Sequence, residues 1–141
     1  MLQLNTCQIS AVETANRVAE YIKALRSNPA VQPGDGSKLE VGSIEPMPAF
    51  NISAFTFYLK RLIELDAKPS FFHVDLSGGW IDRNPQVKIY EKLKALHSLL
   101  KTLDIPFGLV LWPGYDPVSS DQSYYRHVID YATKMHVNGL P

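Results

Sequence analysis

The sequence predicts an α/β fold with parallel strands. Three observations carry this: apolar residues recur at helical spacing in four segments, short apolar runs of strand length lie between them, and the two alternate along the chain. Strands joined in this way are parallel, because each helix is a right-handed crossover returning the chain to the same end of the sheet. The order reads βαβαβαβα, or the same without its first strand.

The elements follow in order. MLQLNT is read as the opening strand. The first helix is expected from Ser10, where Ser10 and Glu13 match an S-x-x-E capping box; Val12, Ala15, Val18, Ala19, Ile22 and Leu25 form its stripe. The polar stretch 27–38, SNPAVQPGDGSK, reads as a surface loop within one domain spanning 1–141. LEVGSI (39–44) is a strand leading to Glu45-Pro46. The second helix starts near Ser53, with Phe55, Tyr58, Leu59, Leu62 and Ile63 on one side. SFFHVDL (70–76) is the next strand, and LSGGWIDRN (76–84) the loop after it. A third helix takes Asn84 as cap and Pro85 at its first position, where the missing N–H costs nothing; its stripe is Tyr90, Leu93, Leu96, Leu100 and Leu103. PFGLVLW (106–112) is the last strand. The fourth helix follows Ser119 and Ser120, turns Tyr124, Tyr125, Val128, Ile129 and Ala132 inward, and stops at Asn138-Gly139. Pro69 and Pro106 stand just ahead of two strands, a position that tolerates a missing donor. Leu65-Asp66 and Leu103-Asp104 precede them as a faint internal echo.

Two architectures suit this order. One is half of a (β/α)8 TIM barrel, since a complete barrel takes about 250 residues and this chain has 141. The other is a small open doubly wound sheet. Polar groups at the strand ends favour the barrel: a sheet covered by helices on both faces would bury them without partners. A half barrel exposes two strand edges and apolar surface, so either a homodimer or the missing remainder of the barrel is the expected protein partner. Fourteen basic and fourteen acidic side chains cancel, which argues against a nucleic-acid face. Cys7 stands alone, so the chain forms no internal disulfide or cysteine-based zinc cluster; a single cysteine fits the cytoplasm. No run approaches the ~18 apolar residues of a membrane span, and the N-terminus lacks the pattern of a signal peptide. No phosphate-binding motif points to a cofactor.

In either architecture the site lies at the carboxyl ends of the strands. Period-2 alternation sets Ser43 with Glu45, and His73 with Asp75, on one face each. Were Ile44, Phe72 and Val74 to pack against helices, Glu45, His73 and Asp75 would share the open mouth. Two neighbouring carboxyl groups there form the acid and base of glycoside hydrolysis, which makes Glu45, Asp75 and His73 the candidate catalytic residues. Trp80, Asp82 and Arg83 in the loop after the second clear strand, and Trp112, Tyr115 and Asp116 after the third, are the candidate substrate contacts, together with Phe50. Exposed aromatic faces with carboxylates suit sugar rings. Glu45, His73 and Asp75 are the residue types that hold a metal, but three ligands from two strands are a weak signal, and no metal site is predicted.

With Glu45-Pro46, Asp75 and Trp112 at strand ends, residues 39 to 137 resemble part of a TIM-barrel glycoside hydrolase-like protein. The resemblance implies a saccharide ligand and Glu45 as acid/base. The family's Asn-Glu-Pro is Ile44-Glu45-Pro46 here, and its second catalytic glutamate has no counterpart in the chain. The expectation is a carbohydrate-active barrel segment, acting on a saccharide or binding it; the alternative is a non-catalytic α/β module that binds a small molecule or a protein.

Overall fold

A computed structural model describes residues 6–46, 52–113 and 120–140. The elements are α1 (Thr6–Ser27), β1 (Ser43–Pro46), α2 (Ile52–Glu64), β2 (Phe72–Ser77), α3 (Gly78–Arg83), α4 (Ile89–Thr102), β3 (Phe107–Trp112) and α5 (Asp121–Val137), with 3-10 turns at Pro29–Val31 and Pro85–Val87. The strands form an open parallel sheet in the order β1-β2-β3. The expected opening strand falls mostly on residues 1–5, outside the described residues, and Thr6 already belongs to α1.

The chain divides into two compact units, residues 1–43 with 50–71 and residues 44–49 with 72–141. In the first, α1 packs on α2. Ala11, Ala15, Ala19 and Ile22 are buried along α1, at helical spacing, three of them with the shortest side chain that still packs. Ala54, Phe55, Tyr58, Leu59 and Leu62 are the buried residues of α2, while Ile63, expected among them, turns outward. Ser10 does not start α1: the helix begins at Thr6, so the Ser10–Glu13 box lies inside it. Packing supplies most of a helix's stability, and buried Ala11 together with a 3.0 Å hydrogen bond from Gln8 Nε2 to Ser53 Oγ carries α1 past the local start signal. Arg61 Nε donates to Asn16 Oδ1 at 2.9 Å, joining the same two helices. The 27–38 stretch lies on the surface, as expected. Gln32 Nε2 turns back to cap the carbonyls of Leu25 and Arg26 at 3.0 Å each. The exposed Asp35 carboxylate accepts the Ser37 N–H at 2.9 Å, and hydrogen bonding from Ser37 holds its carboxyl below the ordinary range.

The second unit is built on β2 and β3, which pair in parallel from Phe72↔Phe107 to Ser77↔Trp112. Phe72, Val74 and Leu76 are buried, and His73, Asp75 and Ser77 between them are half-buried. Paired residues of parallel strands point to the same side of the sheet, so Phe107, Leu109 and Leu111 continue the buried face. Within this unit α4 and α5 lie on that face, leaving Phe107, Leu109 and Leu111 half-buried. His97 of α4 stacks on Phe107, ring centroids 5.1 Å apart. Ala132 and Met135 of α5 line a cleft of about 290 Å³ with Phe107, Leu109 and Leu111.

The inward face of α5 differs from the sequence expectation. Tyr131 and Met135 are its buried residues, whereas Tyr124, Ile129 and the 65% exposed Tyr125 face solvent. A hydrogen bond fixes the rotation: Tyr131 Oη donates to Asp82 Oδ2 at 2.6 Å. The start of this helix is as expected, with Ser120 Oγ accepting the Ser123 N–H at 3.2 Å. The LSGGWIDRN segment is also not a loop. Ser77 Oγ accepts the Trp80 N–H at 3.3 Å and starts α3. Asn84 and Pro85 then form a 3-10 turn, and α4 begins only after Lys88, which adopts a left-handed conformation.

The echo between Leu65-Asp66 and Leu103-Asp104 has a structural cause. After α2, Ala67 N–H reaches Leu62 O at 2.8 Å and Asp66 N–H reaches Ile63 O at 3.0 Å. After α4, Ile105 N–H reaches Leu100 O at 3.0 Å and Asp104 N–H reaches Lys101 O at 3.2 Å. Both ends are Schellman motifs, with Asp66 and Asp104 at positive φ. The end of α5 repeats the pattern with Gly139 at the same position. An L-residue is strained there and glycine is not. Asp66→Gly is therefore expected to be neutral or to stabilise by up to about 1 kcal/mol, read as a small rise in the thermal midpoint; a clear loss would mean that the aspartate side chain holds the turn.

Candidate functional site

The side of the sheet opposite α4 and α5 carries His73, Asp75 and Ser77 from β2, beside Gly108, Val110 and Trp112 from β3. None of these six is buried, and Val110 is 39% exposed. Alternation in β2 thus does what the sequence suggested: the apolar residues hold the helices and the polar ones are left on the open face.

Two cross-strand contacts organise this face. Trp112 Nε1 donates to Asp75 Oδ1 at 2.9 Å, reaching diagonally from the position paired with Ser77. The His73 imidazole lies across Gly108, where a Cβ would come within 2.5 Å of His73 Cδ2. Both side chains of β2 thus lean onto β3, with exposed Val110 between the two contacts. Gly79 N–H donates to Pro113 O at 2.7 Å, which ties the start of α3 to the exit of β3 and fixes the end of the strand that carries Trp112.

Glu45 does not join them. Ser43 N–H donates to Phe71 O at 3.0 Å, the bond that in a parallel ladder sets Ile44 beside His73 and Glu45 beside Val74. The exposure of β1 agrees: Ile44 is 59% exposed, and Ser43 Oγ lies 3.4 Å from Tyr58 Oη. The expectation that Ile44 packs inward while Glu45 shares the face of Asp75 is therefore corrected. β1 runs from Ser43 to Pro46 instead of the expected 39–44, and its register against β2, which no single strand encodes, reverses the pairing. Pro46 takes the position beside Asp75.

The remaining candidates divide. Asp82 belongs to a contact between α3 and α5: besides Tyr131 it meets Lys134 Nζ at 3.4 Å, and that ammonium sits 4.6 Å from the centre of the Tyr131 ring. Arg83 Nε donates to Gly79 O at 2.9 Å within α3. Trp80 is half-buried on the same helix, its carbonyl accepting Asn84 Nδ2 at 2.8 Å. Tyr115, Asp116 and Phe50 lie outside the described residues. Among the described residues no three His, Cys, Asp or Glu side chains are grouped to hold a metal ion, and no helix is long and apolar enough to cross a membrane.

Gly108 and Val110 belong to the open face and were not singled out from sequence. The glycine inside PFGLVLW was the available signal, since glycine in a strand marks a close approach. Comparison with protein-family models, with curated proteins and with solved structures found no match.

Proposed function

We propose that the chain is a carbohydrate-active segment of the β/α-barrel type that binds a saccharide on its open sheet face. The observation that carries this reading is the Asp75–Trp112 pair at the carboxyl ends of adjacent parallel strands, on the side that α4 and α5 leave uncovered. A carboxylate accepts hydrogen bonds from sugar hydroxyls, an imidazole both gives and accepts them, and an indole beside exposed Val110 offers apolar surface to the CH face of a ring. Helices on one side and a mixed polar and apolar layer on the other suit the inner wall of a barrel better than a doubly wound sheet, whose two faces would both be covered.

Hydrolysis by Glu45 with Asp75 is not part of the proposal. A two-carboxylate mechanism needs both groups on the same sugar, about 5–9.5 Å apart, and the register directs these two to opposite faces. Binding by Asp75, His73 and Trp112 remains. Calorimetric titration with soluble oligosaccharides is expected to show binding by the unmodified chain, a tenfold or greater loss in Asp75→Ala, and little change in Glu45→Gln. The absence of binding across a broad panel, or equal losses in the two variants, would overturn the reading.

A further inference from the structure

We infer that Trp112 is a positioning residue for Asp75, in addition to any surface it offers a ligand; the inference rests on the saccharide reading above for its consequence, though not for its geometry. The indole N–H reaches Oδ1 at 2.9 Å from a strand whose end is itself held by the Gly79–Pro113 bond. Among the described residues Oδ2 takes no hydrogen bond. A carboxylate on a flexible Cβ–Cγ bond, held at one oxygen, presents the other in a single direction. That direction is fixed before ligand arrives, which lowers the entropy lost on binding. A bond from a neutral donor to a charged acceptor is also among the stronger single contacts. The reach is diagonal: Trp112 pairs with Ser77, and Val110 stands directly opposite Asp75.

The experiment separates positioning from simple stacking. In a ¹H–¹⁵N spectrum the two tryptophans give two indole resonances, assigned with Trp80→Phe. Asp75→Ala is expected to shift the Trp112 resonance and speed its hydrogen exchange, while Asp75→Asn, which keeps an acceptor, restores much of both. Oligosaccharide titrations then form a cycle. Trp112→Phe is expected to weaken binding about tenfold in the unmodified chain and far less in the Asp75→Ala background. An unmoved Trp112 resonance, or losses that simply add, would overturn the inference. A shifted resonance in a chain that binds no saccharide would leave the positioning contact standing and overturn the saccharide reading alone.

Discussion

Gly78→Ala is expected to destabilise the second unit by about 3 kcal/mol, lowering the thermal midpoint by roughly 10 °C. Gly78 opens α3, and a Cβ built there would fall 1.8 Å from Tyr131 Cε2 and 2.2 Å from Cζ. No real contact is that short, so the ring or the helix start must move. The ring is not free to yield. Tyr131 is 7% exposed, its hydroxyl is bound to Asp82 at 2.6 Å, and Lys134 lies over its face. Moving it forfeits that hydrogen bond, worth about 1.5–3 kcal/mol because the acceptor is charged, on top of the overpacking. The need for glycine here comes from the close approach of a helix to a ring, since the backbone of Gly78 is not among the positive-φ positions. A double-mutant cycle checks the cause: Gly78→Ala with Tyr131→Leu should cost well below the sum of the single losses. Additive losses would place the strain elsewhere.

The same residues show what was legible in the sequence. The order of helices and strands could be read because each buried stripe is local: Phe72, Val74 and Leu76 alternate, and Leu93, Leu96 and Leu100 recur, without reference to anything distant. The polar face of β2 followed directly from that alternation. What was not legible depended on how segments meet. Periodicity found an apolar stripe on α5 through Tyr125 and Ile129, yet the helix turns Tyr131 inward because Asp82, 49 residues away, takes its hydroxyl. The partner of Glu45 depended on the β1–β2 register, set by one backbone bond from Ser43 to Phe71. A one-residue change of register moves a side chain to the opposite face, so the paired carboxylates part although the β2 strand lies where expected; β1 itself starts later than the expected 39–44, at Ser43, and runs to Pro46. The Asp75–Trp112 contact belongs to the same class. Both residues were singled out, one as a catalytic group and one as a platform, but a separation of 37 positions hid their direct contact.

Phe72→Ala and its neighbour His73→Ala should differ sharply, and the contrast tests the division of the sheet into a structural face and the proposed ligand face. Phe72 is fully buried, pairs with Phe107, and donates its N–H to Pro106 O at 2.8 Å. Truncating it leaves a cavity that the sheet backbone cannot close, at a cost of about 3–5 kcal/mol. That is a large share of the 5–15 kcal/mol that typically holds a domain together, so the denaturant midpoint should fall steeply or the unit should fail to fold. His73 is half-buried on the other side, and its ring rests over Gly108. His73→Ala is therefore expected to cost within about 1 kcal/mol of stability while weakening oligosaccharide binding several-fold. Gly108→Ala supplies the reciprocal test: its methyl displaces the imidazole by steric contact, so it should impair binding as His73→Ala does and leave the Phe72 side intact. Comparable losses of stability in Phe72→Ala and His73→Ala would mean that both faces are core, and a ligand would then have no open face to occupy.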